Sequence, residues 1–144
     1  MAFSNTHFSL SLHLLTTLAV FGNPGLSSTE LAKGVGTNPS FLRVIIGHLC
    51  AAGLVESRVG NGGGIFLAYP PEKISVGDVY RATEGTAQVA SHSCPPDNDC
   101  PVGNYFPMMM DDISSRIDSA ITGELDQITI ADLVTTSTGS TVTS

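Results

Sequence analysis

The stretch from residue 26 to residue 64 constrains the fold more than any other part of the chain. Ser27 and Glu30 stand three residues apart, the spacing of a capping box in which the serine caps a helix and the glutamate reaches back. Asn38 followed by Pro39 combines the residue types preferred at the N-cap and first position of a second helix. Two glycines lie between these start signals, which suits a tight turn. The sequence therefore predicts two short helices joined by a turn.

The second of these helices has one apolar face. Its apolar residues recur at i, i+3, i+4 and i+7, as in an amphipathic helix: Leu42, Ile45, Ile46 and Leu49. Gly53 suits the end of the helix, and two short strands are predicted on either side of a glycine cluster at 60–64. We therefore predict a winged helix-turn-helix. Its fold class is mainly α, with a small β-hairpin wing and a long C-terminal helix.

This arrangement predicts binding to double-stranded DNA, because the second helix of a helix-turn-helix enters the major groove. Ser40, Phe41 and Arg43 are the expected groove contacts, with Phe41 suited to a thymine methyl group and Arg43 to guanine or phosphate. Arg58 and Asn61 would place the wing on the DNA backbone. The alternative interpretation is a winged-helix module that binds protein instead of DNA. The full set of candidate DNA-binding residues is Thr29, Asn38, Pro39, Ser40, Phe41, Arg43, His48, Arg58, Asn61, Gly62 and Gly63.

The formal net charge of −7 is unevenly distributed along the chain. Residues 1–85 hold five basic and five acidic side chains, whereas residues 86–144 hold Arg116 against eight carboxylates. A neutral front half is compatible with DNA binding whose affinity falls steeply as salt rises. The chain lacks a long apolar run and a signal-peptide pattern, which predicts a cytoplasmic protein without membrane contact. No nucleophile–base pair or metal-ligand spacing indicates an enzyme.

The segments before and after this unit are predicted to support it. A helix capped by Thr6 and ending near Phe21 carries an apolar stripe that also includes Leu10, Leu14 and Leu18. The wing strands are expected at 54–59 and 65–69, and a further helix with Ser75 and Asp78 at its start would brace the wing. Together these segments form a DNA-binding domain over residues 1–85.

The C-terminal part is predicted to mediate dimerisation. Residues 86–104 form a cysteine-containing loop of the sensor type, and Pro107 opens a helix with a long apolar stripe. Residues 105–134 therefore comprise a dimerisation helix and a short terminal helix at 130–134, although the stripe could also pack on its own domain. Residues 135–144 contain only Thr, Ser, Gly and Val and are predicted to form a disordered tail. The expected interface residues are Met109, Ile113, Ile117, Ile121 and Leu125.

Several motifs extend in order over almost the whole chain. They are Glu30-Leu31-Ala32, Asn38-Pro39, Ala52-Gly53-Leu54-Val55, Gly62-Gly63-Gly64, Pro70-Pro71-Glu72-Lys73-Ile74, Asp78-Val79-Tyr80-Arg81-Ala82, Glu84-Gly85, Cys100-Pro101-Val102-Gly103 and Thr129-Ile130-Ala131-Asp132-Leu133. In this pattern the chain resembles the Rrf2 family of bacterial winged helix-turn-helix transcriptional regulators. The resemblance implies a homodimer that binds a roughly palindromic operator as a repressor, with the long C-terminal helix crossing to the partner.

Two departures from the family pattern affect the DNA-contacting segments. In the family an arginine usually precedes the wing glycine directly, whereas here Arg58 stands one place early and Val59 occupies that position. The family's recognition helix often carries two adjacent basic residues, whereas here Arg43 is followed by Val44. These departures concern the groove contacts and the target sequence, not the fold.

The cysteines bear on the signal to which the protein responds. Family members that hold an iron–sulfur cluster use three loop cysteines about five residues apart, and Cys94 and Cys100 match the first two positions. Phe106 stands at the third position and cannot ligate iron, so we predict no cofactor, while His92 is a candidate substitute ligand. A thiol switch remains open, between the two loop cysteines or through an intersubunit bridge at Cys50. Inert cysteines are the other alternative.

Overall fold

The computed structural model describes residues 6–22, 25–85, 89, 92 and 100–139. Six α-helices, one 3-10 turn and a two-stranded antiparallel sheet make up these residues. In the part of the chain so described, no helix is both long and apolar enough to cross a membrane. The elements are α1 His7–Phe21, α2 Ser28–Val35, α3 Pro39–Ala51, β1 Val55–Arg58, β2 Gly64–Leu67, a 3-10 turn Pro71–Lys73, α4 Val76–Thr83, α5 Pro101–Leu125 and α6 Ile130–Gly139.

Helix α1 lies at the centre of the fold. It contacts α2, α3, α4, α6 and β2, and Leu14, Leu15 and Leu18 are buried at these contacts. Removing these side chains from water contributes about 1.5–3 kcal/mol each. Two details of the prediction for this helix are wrong. Thr6 makes no side-chain capping bond, because its backbone is not in the extended conformation of an N-cap, and Phe21 is 67% exposed because it is the last residue of the helix.

The start signals of α2 and α3 form the predicted caps. Ser27 Oγ accepts a hydrogen bond from the Glu30 backbone N–H at 3.1 Å, and the Ser27 backbone N–H donates to Glu30 Oε2 at 2.7 Å. Asn38 Oδ1 accepts a hydrogen bond from the Phe41 backbone N–H at 2.8 Å. Gly36, at the end of α2, has φ of 79°, a left-handed conformation that glycine adopts without steric cost. These local bonds fix the angle at which α3 leaves the turn.

Strands β1 and β2 form the predicted wing. They pair in antiparallel register from Val55–Leu67 to Arg58–Gly64, so the tip spans residues 59–63. The Ile65 N–H donates to the Leu26 carbonyl oxygen at 2.7 Å, which ties β2 to the segment before α2. A Cβ atom at Gly63 would collide with the carbonyl oxygen of Arg58, so only glycine fits this turn. Hence the wing is attached to the helix-turn-helix by backbone bonds.

The two C-terminal helices begin or end at other residues than predicted. Helix α5 begins at Pro101 and not at Pro107, which lies inside the helix. Both prolines suit a first helical position, and the helix tolerates the second one at the cost of a backbone hydrogen bond. This start places residues 101–104 in the helix instead of the predicted loop.

Helix α6 is longer than predicted, since it continues to Gly139. Leu133 and Val134 pack against the core, and Thr135, Thr136 and Thr138 each donate a side-chain hydrogen bond to a carbonyl of the preceding turn. The prediction that the tail is disordered from residue 135 is therefore wrong for residues 135–139. Residues 140–144 lie outside the described part of the chain.

Candidate nucleic-acid interface

Helix α3 has a buried face and an exposed face, as its sequence predicts. Its apolar stripe faces the core, with Leu42, Ile45 and Leu49 completely buried. The helix leaves an outer face open to solvent, which is the face that a recognition helix presents to DNA. Pro39 occupies the first helical position beside the Asn38 cap. The exposed residues on this face are Ser40, Arg43, Val44, Gly47 and His48.

Phe41 is more deeply placed than the other predicted groove contacts. It is half-buried and packs against the hydrophobic core, and its ring centroid lies 5.3 Å from that of His7 on α1. The His7 ring also lies 6.1 Å from the ring of His48. Phe41 thus helps to hold the start of α3 against α1.

Val44 is the exposed apolar side chain on the outer face that sequence reasoning missed. It is 52% exposed, one turn after Ser40 and one turn before His48. Val44 lies four residues after Ser40, and this spacing is the sequence signal that places both on the same helix face. In the sequence, Val44 stands out only because it occupies the place of a second basic residue.

The sequence predicts that Arg58 contacts the DNA backbone, but in the structure its side chain contacts two other residues of the wing. The Arg58 guanidinium lies 3.0 Å from Glu56 Oε2 and 4.2 Å above the centre of the Phe66 ring. These contacts hold its charge against the sheet near the base of the tip. Val59, which is 96% exposed, projects from the tip together with the exposed residues Asn61 and Gly62.

Thr29 lies apart from the α3 face, in the first turn of α2. It is exposed, beside the Ser27–Glu30 capping box. The N-terminus of this helix carries the positive end of the helix dipole, which favours a nearby phosphate. Of the candidate contacts on the wing, Arg58 ends β1, whereas Asn61, Gly62 and Gly63 lie in the tip.

A polar joint connects the winged helix-turn-helix half to α5. Arg81 on α4 donates to both carboxylate oxygens of Asp126, at 3.0 and 2.6 Å, and Asp126 also accepts a bond from Ser75 Oγ at 3.3 Å. The hydrogen bond from Arg81 is the main cause that lowers the pKa of the Asp126 carboxyl group. Gly77 lies against the same carboxylate, where a Cβ atom would collide with it. The end of α5 is therefore fixed on the start of α4.

Tyr80 is buried close to this joint. Burial is the main cause that raises the pKa of its phenol, and the negative charges of Asp118 and Glu84 raise it further. Since Asp118 belongs to α5 and Tyr80 to α4, this cluster forms a second link between the two helices.

The predicted dimer residues divide into two groups along α5. Met109 and Ile113 are each 45% exposed, whereas Ile117, Ile121 and Leu125 are half-buried. The half-buried group lies in the part of the helix that approaches α4 and the polar joint. Every residue of α5, which the structure describes in full, keeps some exposure to solvent.

The cysteines are only partly described. Cys100 stands at the N-cap of α5 and Cys50 lies near the end of α3, and both thiols are free and half-buried. Cys94 lies outside the described residues. Phe106 contacts the His92 ring, with 5.5 Å between ring centroids. It offers no ligand atom at the third cluster position, and within the described ranges no three His, Cys, Asp or Glu side chains converge on a metal site. The lack of a cofactor thus stays a prediction, argued from the chemistry of Phe106.

Comparison with known families identifies the chain. The model of the Rrf2 family, described as iron-dependent transcriptional regulators, matches residues 4–136. The chain belongs to the Rrf2 family. Among its relatives, the HTH-type transcriptional repressor NsrR of Streptomyces coelicolor is 34% identical over 132 residues, which cover 90% of this chain and 86% of NsrR. The HTH-type regulator YwnA of Bacillus subtilis is 28% identical and is covered over 96% of its length.

Solved structures of Rrf2 regulators show the same fold. CymR, the global cysteine regulator of B. subtilis, superposes with a TM-score of 0.67 at 26% identity, covering 94% of this chain and 98% of CymR. IscR of T. potens gives a TM-score of 0.69 at 26% identity, covering 94% and 88%. The winged helix-turn-helix predicted from the sequence is confirmed, and the chain is a transcriptional regulator with a DNA-binding fold.

Proposed function

We propose that this Rrf2 protein is a transcriptional repressor that binds a palindromic operator as a homodimer. The observation that carries the proposal is the outer face of α3, where Ser40, Arg43 and Val44 are exposed on a helix whose opposite face is locked into the core. Side chains on such a rigid helix can read base edges in the major groove. Repression is the activity stated for NsrR of S. coelicolor, the relative that matches 90% of this chain.

The exposed apolar surface of α5 supports the proposed homodimer. Met108 is exposed along with Met109 and Ile113, and this surface extends to Tyr105 near the start of the helix. Exposed apolar side chains grouped on one part of a helix, here beside the Asp112–Arg116 ion pair, are characteristic of a protein–protein interface. A second copy of α5 would bury this surface and would set two recognition helices on the two halves of a palindrome.

We also propose that thiol oxidation weakens operator binding. Cys50 lies on α3 two residues after His48, so a change at its sulfur acts directly on the recognition helix. Cys100 lies at the N-cap of α5, the proposed dimerisation helix. Both positions connect a thiol to an element that the proposed regulator needs.

The test is fluorescence anisotropy of the reduced protein on DNA from upstream of its own gene, over a series of salt concentrations. We expect specific binding that weakens steeply with salt, because Lys and Arg side chains displace counterions from phosphates. A second series after mild oxidation tests the thiol proposal, and Cys50→Ser and Cys100→Ser identify the sulfur that responds.

The outcomes separate the competing interpretations. Specific binding that is indifferent to oxidation would retain the repressor and contradict the thiol switch. Lack of specific binding to this DNA and to sequences selected from a random library would contradict the repressor. A protein-interaction module would then be favoured, and the low number of basic residues in the front half would be its explanation.

A further inference from the structure

We infer that Val44 and Gly47 form a notch on α3 that receives the methyl group of a thymine, next to a guanine read by Arg43. The inference rests on the proposed operator binding and deepens it, because it names a base contact within that interface. It depends on three observations about the outer face of α3.

The first observation concerns Gly47. It is exposed in the interior of α3, and a Cβ atom there would meet no other atom within 4 Å. Glycine destabilises the interior of a helix relative to alanine, so the free protein gains nothing from it at this position. Gly34 and Gly123 are also open, but each lies in the last turn of its helix, where glycine costs less. The reason for Gly47 therefore lies in what approaches the helix.

The second observation concerns Val44. It lies three residues before Gly47, so the two are neighbours on the helix surface. Its half-exposed isopropyl group forms one apolar wall beside the bare backbone at Gly47. Phe41, the other apolar candidate, is already packed against the core and the His7 ring. The exposed apolar surface on this part of α3 thus belongs to Val44.

The third observation is the position of Arg43. It lies four residues before Gly47, on the other side of the same notch, and it is exposed. Thymine alone among the DNA bases carries a methyl group in the major groove, while guanine presents two acceptors to an arginine. A valine, a bare backbone and an arginine placed side by side are complementary to a thymine next to a guanine.

The test begins with an operator selected from a random DNA library by the full-length wild-type protein. Each thymine of that operator is then replaced in turn by deoxyuridine, which lacks only the methyl group. We expect one thymine per half-site at which the wild-type affinity falls about fourfold, the value of one buried methyl group. For Val44→Ser, thymine and deoxyuridine at that position should bind equally.

Gly47→Ala provides a second test, in which operator affinity should fall while Tm rises. The added methyl group fills the notch, so operator affinity should fall at least tenfold. The same change should raise Tm by about 3 °C, because alanine stabilises the helix. Gly123→Ala is the control, a helical glycine in open space on α5 whose replacement should leave operator affinity unchanged.

Two results would overturn the inference while leaving the proposed function intact. One is equal wild-type affinity for thymine and deoxyuridine at every position of the selected operator. The other is unchanged operator affinity of Gly47→Ala. If the wild-type protein selects no sequence at all, the proposed repressor fails, and this inference fails with it.

Discussion

Arg43 carries an exposed guanidinium group on a helix that its buried neighbours hold in place. Its side chain is exposed on α3, while the neighbouring Leu42 is completely buried and anchors the helix. The guanidinium therefore projects from a rigid base, which favours two simultaneous hydrogen bonds to guanine. By contrast, the Arg58 guanidinium is already engaged by Glu56 and Phe66.

Replacement of Arg43 by alanine should weaken operator binding about tenfold or more per half-site, since a bidentate arginine–guanine contact contributes about 1–3 kcal/mol. The measurement is anisotropy on the selected operator. Arg116→Ala is the matched control, because it removes the same charge from an exposed position on α5. Equal affinities of the Arg43 variant and the wild type would contradict the groove assignment.

At the scale of elements, the joint between α4 and α5 couples the winged helix-turn-helix half to the long helix. Arg81 binds Asp126 with two hydrogen bonds, and the same carboxylate accepts a bond from Ser75, the N-cap residue of α4. A movement of α5 would thus act on the cap of α4. Both charged side chains are partly exposed, so the ion pair contributes at most about 1 kcal/mol.

The replacement Asp126→Asn should lower Tm at neutral pH, and the difference from wild type should vanish in acid. The pKa of Asp126 in the folded protein is lowered, so its stabilising effect is complete above its unfolded pKa of about 3.9. The effect is lost as the pH falls through the lower, folded pKa. Thermal unfolding from pH 7 to pH 3 would measure this change.

Asp112→Asn is the control for that series. It breaks an ion pair between Asp112 and Arg116 that is more exposed than the joint and lies within α5 alone. We expect no measurable change in Tm at any pH. An Asp126→Asn deficit that persisted undiminished below pH 3.5 would show that the carboxylate charge is not its cause.

At the scale of the whole molecule, charge and apolar surface are divided between the two halves. The front half is neutral and presents α3 and the wing, whereas the acidic residues that give the net charge of −7 lie after residue 85. The half that carries the proposed DNA-binding face therefore has no net negative charge. The apolar face of α5 remains as the surface that a partner would cover.

Substitution of Ile113 by glutamate should convert the proposed dimer to a monomer, because the change places a charge in the apolar face of α5. Analytical ultracentrifugation would measure the mass. Ser57→Glu adds the same charge at an exposed position on β1, outside α5, and should leave the dimer intact. A wild-type protein that is monomeric at micromolar concentration would contradict the proposed assembly.

The sequence by itself determined the local elements of this protein. The capping boxes at Ser27 and Ser75, the Asn38 cap and the stripe of α3 each depend on residues a few positions apart, so their spacing predicts the bonds that form. The glycine cluster likewise placed the wing. Family motifs then identified a transcriptional regulator with a DNA-binding fold, which the match over residues 4–136 confirms.

Only the tertiary structure decided which surfaces remain exposed. The half-buried position of Phe41 depends on His7, and the engagement of Arg58 depends on Phe66 across the sheet. Short-range sequence signals also allow more than one boundary for a helix. The structure shows that α5 starts at Pro101 and that α6 extends to Gly139. The Arg81–Asp126 pair joins residues 45 positions apart. Contacts between distant residues carry no signal in local spacing, because packing of the whole chain brings them together.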